Sequence, residues 1–333
     1  MNPCPRARSL PALRTLAGAA LLACGLGAFA ADGYPSRPVT LVVPFAAGGP
    51  TDVVARAVGA AMSRSLGQSV VIENKLGAGG TLAAAYVAKA APDGYTVLIH
   101  HNGMATAPSL YRKLPFNAQT DFEFIGQVVD VPMTLLGRKN LPANNAQELA
   151  AWLKANAAQV NLAHAGLGAV SHLCSMVLRQ AVGVELQTVP YQGTAPAMTA
   201  LLGGQVDVLC DQTTQTVQHI KAGTVKLYGT TTAQRIKALP EAPTLAEAGL
   251  KGVEVVVWHG VYAPKGTPKE ALDKLNGALR SALKDPTVNA RMAELGAEVV
   301  PESKQTPEGL RSWLKAETER YAPMIKAAGV YAD

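Results

Sequence analysis

Three times in this chain a short apolar strand runs into a glycine-rich loop that opens directly onto a helix with a polar cap. The segments are Val39–Val43 into Gly48-Gly49 and Thr51, Val70–Glu73 into Gly77-Ala78-Gly79-Gly80 and Thr81, and Asn161–His164 into Gly166-Leu167-Gly168 and Ser171. Such a junction leaves the first helical amides without intrahelical acceptors and aims the positive end of a helix dipole at the same point, which favours an anion. Repeated strand–loop–helix units also require parallel strands joined by right-handed crossovers. The loops then gather at the carboxyl edge of the sheet, where open α/β folds bind their ligands.

The first half reads as strand Val39–Val43, helix Asp52–Leu66, strand Val70–Glu73, helix Thr81–Ala90 and strand Tyr95–His100. Val53, Val54, Ala57, Val58, Ala61 and Met62 recur at helical spacing and predict a buried stripe on the first helix. Continuous apolar strands indicate a sheet covered on both faces, with the order 2-1-3. The middle repeats this grammar: strand Asn161–His164, helix Ser171–Ala181, strand Glu185–Val189, a helix ending at Leu202, strand Val206–Cys210, helix Thr214–Ala222 and strand Val225–Thr230. Two α/β units in tandem imply two lobes facing across a cleft, joined by the extended stretches Phe124–Leu136 and Val253–Ala263. The tail is helical over Lys269–Leu283, Pro286–Leu295 and Pro307–Ala328, and with two crossings it returns to the first lobe. The expected division is a leader at 1–31, a first lobe at 32–130 plus 254–333, and a second lobe at 131–253.

Arg6, Arg8 and Arg14 precede the apolar run Leu16–Phe29, which ends in Ala28-Phe29-Ala30 before Ala31-Asp32. That is the pattern of a secretory peptide cleaved near Ala30 or Ala31. Leu21-Leu22-Ala23-Cys24 offers the alternative of a lipobox, with Cys24 as a lipidated N-terminus. The formal charge of +6 contains those three arginines, so the remainder carries +3. No basic run interleaved with aromatics marks a nucleic-acid surface. Loss of the leader removes Cys4 and Cys24 and leaves Cys174 and Cys210, either a disulfide in an oxidising compartment or two buried thiols.

Each candidate site has a plain structural alternative. In Pro44–Asp52 the residues Gly48, Gly49 and Thr51 offer donors to a carboxylate, or the loop is a tight turn with Thr51 or Asp52 capping the helix. A phosphate loop is excluded by the missing Gly-Lys-Ser/Thr ending, and Gly166-Leu167-Gly168 is a weak dinucleotide signal with Ser171 where a third glycine belongs. Ser171 and His172 are helix neighbours about 100° apart, so they do not face each other as nucleophile and base. His100 and His101 end a strand and are expected on opposite sides, a poor chelating pair, and no metal or cofactor is expected. Asp211, at the carboxyl edge, meets a ligand ammonium or hydroxyl, or caps the next helix. Tyr191 and Thr194 lie in a further edge loop with hydroxyls to donate, and Trp258 either walls the cleft or fills the core.

Pro44-Phe-Ala-Ala-Gly-Gly-Pro-Thr-Asp52, Glu73-Asn-Lys-Leu-Gly-Ala-Gly-Gly80 and Pro92-Asp-Gly-Tyr-Thr96 closely resemble the periplasmic Bug receptors, the substrate-binding proteins of tripartite tricarboxylate transporters. Pro190-Tyr-Gln-Gly-Thr-Ala-Pro196, Gly203-Gly-Gln-Val-Asp207 and Ala263-Pro-Lys-Gly-Thr-Pro268 extend the match over essentially the whole chain after the leader. The resemblance implies a periplasmic location and an α/β, two-lobed, Venus-flytrap binding protein of type II-like topology, each lobe a mostly parallel sheet flanked by helices. It implies a small carboxylated ligand (a di- or tricarboxylate, an amino acid or a related organic acid) and delivery to a membrane permease; docking on a sensor kinase ectodomain is the alternative. An enzyme is not implied. Carried over residue by residue, the ligand-binding positions are Phe45, Gly48, Gly49, Thr51 and Asp52, then Ala165, Gly166, Gly168 and Ser171, with Gly79 and Gly80 bordering the cleft. His164-Ala165 and Ala169-Val170 depart from the serines common there. His100-His101-Asn102 stands where small residues are usual, which puts Asn102 in the expected site.

Overall fold

In the computed structural model, the described residues are 33–329, 331 and 332, together with Met1 and Pro3. The leader, its cleavage point at Ala30 or Ala31, and Cys24 lie outside the described residues. Strand β1 (Val39–Val43) is followed by α1 (Pro50–Leu66), β2 (Val70–Asn74), a single 3-10 turn (Ala78–Gly80), α2 (Thr81–Ala88), β3 (Thr96–His101) and α3 (Gly103–Leu110). The long strand β4 (Phe122–Arg138) leads to α4 (Ala146–Ala155), β5 (Asn161–His164), α5 (Val170–Val182), β6 (Gln187–Pro190), α6 (Thr194–Leu202), β7 (Val208–Gln212), α7 (Thr213–Lys221) and β8 (Val225–Thr230). The chain ends with β9 (Val256–Pro264), α8 (Lys269–Lys284), α9 (Pro286–Glu294), β10 (Glu298–Val299) and α10 (Pro307–Ala328).

Parallel strands in the order β2-β1-β3 begin the first sheet, and β9 and β4 continue it antiparallel. Parallel strands β6, β5 and β7 build the second sheet. Strand β4 belongs to both: Phe122–Pro132 pairs with β9, while Met133–Arg138 lies between β7 and β8. Each sheet is therefore mixed, a parallel core edged by antiparallel strands, because the crossing strands run back against the α/β units they connect. The sequence supports a strand of this length, since only Glu123, Asp130 and Arg138 in β4 are less than fully buried. On α1 the buried stripe is Val54, Ala55, Val58, Ala61 and Met62, with Val53 and Ala57 only half-buried. Gly59 lets that helix lie close on β2, since a Cβ there would sit 3.3 Å from Val70 and Ile72 side chains.

Two helices lie where no helix was expected. Helix α3 follows β3 after a single residue and contains Pro108. Helix α4 is capped by Asn145, whose side chain accepts the Glu148 amide. His100 and His101 also depart from expectation. Their ring centroids are 5.0 Å apart rather than on opposite faces, with the rings edge to face at the last two residues of β3.

Cys174 on α5 and Cys210 on β7 are bonded, with Cα atoms 6.2 Å apart. Both are fully buried, so the bridge pins α5 onto the strand that carries Asp211. Their separation of 36 residues closes a loop worth about 4 kcal/mol of unfolded-chain entropy. A Cys174→Ala/Cys210→Ala variant is expected to lose roughly that stability, read as a lower urea midpoint at unchanged slope. An unaltered midpoint excludes a stabilising role for the bridge.

Candidate functional site

Four helix N-termini meet at one small cavity. Its walls come from Pro50 and Thr51 at the start of α1, from Ala169, Val170 and Ser171 at the start of α5, from Thr194 at the start of α6, and from Asp211 and Gln212 just before α7. Phe45, His101, Met133 and Ala165 complete the lining. Helix α1 belongs to the first sheet's half and the other three helices to the second, so the positive ends of dipoles from both halves converge. First-turn amides such as those of Thr51, Val170 and Ser171 have no intrahelical acceptor.

The glycine loops build this geometry differently from the sequence expectation. The Gly48 amide donates to Asp52 Oδ2 at 2.9 Å, and the Gly49 amide to Ala46 O at 3.2 Å. Asp52 braces the loop rather than lining the cavity: it also accepts from Arg56 and from Asn74 Nδ2. Burial pushes its carboxyl up, but the Arg56, Gly48 and Asn74 hydrogen bonds with the Arg56 charge outweigh that and hold it below the usual range. In the second half, the Ala165 amide donates to Ser171 Oγ (2.8 Å), the Gly166 amide to His164 Nδ1 (3.1 Å) and the Gly168 amide to His172 Nδ1 (3.5 Å). The amides of Gly48, Ala165, Gly166 and Gly168 are thus already engaged. Helix α5 begins at Val170, one residue earlier than expected, so its unpaired amides belong to Val170 and Ser171 instead.

Three histidines stand behind the first wall. His101 lines the cavity and stacks on Phe45 with centroids 4.8 Å apart. Its Nδ1 accepts the Gly103 amide at 2.9 Å, which makes Nε2 the N–H donor. His259 Nε2 pairs with Thr51 Oγ1 at 3.2 Å and orients that hydroxyl. Burial drives His101 well below its ordinary value, lowers His100 to about 4 and His259 to about 3, so all three are neutral at pH 7.

The remaining expected residues lie elsewhere. Asn102 holds the interior together, donating from Nδ2 to Val256 O and Tyr321 Oη and accepting the Trp258 amide. Trp258 is buried in the core with Nε1 donating to Glu317 Oε2, and neither it nor Asn102 lines the cavity. Gly79, Gly166 and Tyr191 line an outer cavity of about 480 Å³ with Tyr111, Leu167 and Gln192. Gly80 packs over His100, whose Nε2 leaves no room for a Cβ. Lining residues Pro50, His101, Met133, Ala169, Val170 and Gln212 were missed from the sequence. Val170 and Gln212 follow once the true start of α5 and end of β7 are known.

Contacts between the two halves close the cavity. The Ala46 amide donates to Gln192 O (3.1 Å), Thr106 Oγ1 to Gly168 O (2.9 Å) and Tyr111 Oη to Leu167 O (2.9 Å). The inner cavity is about 20 Å³, room for a single water. Ser171 and His172 do not form a nucleophile–base pair, since His172 Nδ1 faces the Gly168 amide and Ser171 Oγ the Ala165 amide. Among the described residues, no three His, Cys, Asp or Glu side chains are grouped to hold a metal ion.

A family model described as "Tripartite tricarboxylate transporter family receptor" matches residues 54–330. A protein of the TAR-I ttuE-ttuC' intergenic region of Agrobacterium vitis is 50% identical over 300 residues, 90% of this chain and 87% of that protein. A solved structure of the periplasmic binding protein BugD is 52% identical, with a TM-score of 0.88 over 90% of this chain and 100% of that one. A second, of MatC from Rhodopseudomonas palustris with bound malate, is 42% identical with a TM-score of 0.85, covering 88% of this chain and 100% of that one.

Proposed function

We propose that this chain, which belongs to the tripartite tricarboxylate transporter receptor family, is a periplasmic receptor that captures a small carboxylated solute between its lobes and delivers it to a membrane permease. The observation that carries this reading is the convergence of four helix N-termini, from both halves, on one small cavity. Unpaired first-turn amides there bind a carboxylate without any side-chain cation, and the neutral histidines add no charge of their own. The malate bound to MatC is a ligand of this chemistry. Closure follows from the two-sided grip: a ligand that bonds only one half gives the halves no reason to meet, whereas one that bonds α1 and α5 together stabilises the closed form. Strand β4, which runs through both sheets, and the stretch leading into β9 are where such a movement is absorbed. A closed form whose surface differs from the open one then gives the permease its signal. No observation favours the sensor-docking alternative, and none of the geometry calls for catalysis.

Thermal-shift screening tests this. A C4–C6 organic acid at a hundredfold excess over its Kd contributes about 2.7 kcal/mol, which raises the Tm of a chain this size by about 5 °C. Stabilisation by neutral sugars of similar size and by no organic anion overturns the receptor reading.

A further inference from the structure

Beyond α10, which Gly329 closes in the left-handed region at φ 64°, Ala332 lies beside Tyr111 at the end of α3. The two residues pair as parallel strands. The Ala332 amide donates to Leu110 O at 2.8 Å, and the Arg112 amide donates to Ala332 O at 3.1 Å. Tyr331 adds its ring beneath the Arg112 guanidinium, whose carbon stands 5.1 Å from the ring centroid. Ala332 is buried by this pairing, although Tyr331 next to it is exposed.

The end of α3 is weak without such support. The helix has eight residues, and Pro108 has no amide to donate to Met104 O, so the last turn is one hydrogen bond short. Tyr111 keeps its amide bond to Ala107 O but has already left the helix, at φ −98° and ψ 120°. This residue carries the first half's side of the seam. Its Oη lies 2.7 Å from Ala78 O in its own half and 2.9 Å from Leu167 O in the other. A phenol has one hydrogen to donate, so the two carbonyls share it, and the hydroxyl is only part of the contact. The ring supplies the rest. A Cβ on Gly168 would stand 3.2 Å from Leu110 Cδ2 and 3.4 Å from Tyr111 Cε2, so both side chains close over the main chain of the loop that opens α5. Leu110 is fixed by the core, whereas Tyr111 is only half-buried and takes its position from its backbone.

We propose that Tyr331 and Ala332 form a positioning clamp for capture: by pairing with residues 110–112 they hold the Tyr111 ring where the Leu167-Gly168 loop meets it. The clamp rests on the two-lobed capture reading above and names a segment that serves it. Its main-chain bonds lie within the first half, so they are made whether the halves stand together or apart. A segment that must be ordered at the moment of binding subtracts that cost from affinity, and a segment already fixed does not. Tyr331 also lines the outer cavity, together with Leu167, Pro190 and Tyr191 of the second half, which sets the clamp at the seam itself.

Calorimetric titration of the full chain with L-malate, succinate and L-aspartate tests this, the tightest of the three being carried into the variants. Ala332→Pro removes the amide that Leu110 O accepts and is expected to weaken binding at least about tenfold. Tyr111→Ala is expected to weaken it by a similar factor. Because the clamp acts through that ring, adding Ala332→Pro to Tyr111→Ala is expected to cost less than about twofold more. Losses that multiply in the double variant reveal a merely structural role and overturn the proposal, and so does full affinity in Ala332→Pro. Should Ala332→Pro fail to fold, Tyr331→Ser, which loses the Arg112 stack, is expected to lose about threefold, and to lose nothing further once Tyr111 is alanine. Undiminished affinity in Tyr331→Ser then overturns the clamp. Hydrogen exchange at the Arg112 amide gives an arm free of ligand: it is expected to be at least about tenfold faster in Ala332→Pro, and an equal rate overturns the clamp. Binding of none of the three acids counts against the capture reading, and the exchange rates still decide whether the segment holds the end of α3.

Discussion

Lowering the pH from 7 to 5 is expected to destabilise this protein more than any single substitution in its core, well before its ordinary carboxylates titrate. Five histidines are buried: His100, His101 and His259 behind the first wall of the cavity, and His164 and His172 in the second half. Desolvation by burial lowers every one, His100 to about 4 and His172 and His259 to about 3; His101 and His164 are also lowered. Each is depressed below the unfolded value of about 6.5. Between that value and its folded value, the unfolded chain takes up a proton that the folded chain refuses. Stability therefore falls as pH drops below about 6.5, by up to about 1.4 kcal/mol per pH unit for each histidine.

Two carboxyls act with the opposite sign. Asp211 rises to about 7 and Asp130 is raised as well, both chiefly by burial. A raised carboxyl favours the folded state at low pH and loses that contribution as pH climbs through its folded value. Two such groups offset part of the slope from five histidines, leaving an expected net of roughly 4 kcal/mol per unit once pH falls below about 6. Against a total stability of about 5–15 kcal/mol, that is enough to unfold much of the population near pH 5. Urea midpoints measured at pH 7, 6 and 5 give the slope directly. Equal midpoints at pH 7 and 5 would show that water reaches these rings and that the histidines titrate freely.

Those histidines also mark the boundary of what is legible in the sequence. The order β2-β1-β3 follows from apolar strands such as Val39–Val43 and from glycine loops that fix the crossovers, because both signals are local. Helix α4 had a local signal too: Asn145 and Glu148 form a reciprocal cap, Asn145 Oδ1 taking the Glu148 amide while Glu148 Oε2 takes the Asn144 amide. Helix α3 was hidden instead, since its start at Asn102-Gly103 reads as a turn and the helix carries Pro108. At the site, the strand–glycine–helix grammar located the right loops but not the right amides. Which amide stays unpaired depends on side-chain acceptors that fold over it. Asp52 takes Gly48, His164 takes Gly166 and Ser171 takes Ala165, leaving Val170 and Ser171 at the helix start. Asn102 and Trp258 sit close to cavity residues in sequence or on neighbouring strands, yet they bond to each other in the interior, a partnership spanning 156 positions.

Replacing Gly79 with alanine is expected to abolish tight ligand binding while leaving the chain folded. Gly79 sits in the 3-10 turn before α2 at φ 60° and ψ 19°, in the left-handed region. A Cβ there would lie 1.7 Å from Leu167 O and 2.8 Å from Leu167 C, backbone atoms of the loop that opens α5. The clash is with main chain from the other half, so no rotamer relieves it and only separation of the halves does. The separated form keeps every contact within each half, and its sole penalty is the left-handed alanine, about 1–2 kcal/mol. Closure also loses the Tyr111 Oη bond to Leu167 O, because Tyr111 stands 3.3 Å from the same Cβ position. If the closed form is disfavoured by about 3 kcal/mol or more, affinity for a ligand gripped from both sides falls at least about 100-fold. Gly67→Ala isolates the strain from the clash. Gly67 has φ 67°, but nothing lies within 4 Å of its would-be Cβ at the C-terminus of α1. Both variants should show similar losses in urea midpoint, while only Gly79→Ala loses ligand-induced thermal stabilisation and scatters X-rays as the more extended particle with ligand present. Equal affinity in the two variants would mean that the Leu167 loop yields, and that capture does not depend on bringing these two segments together.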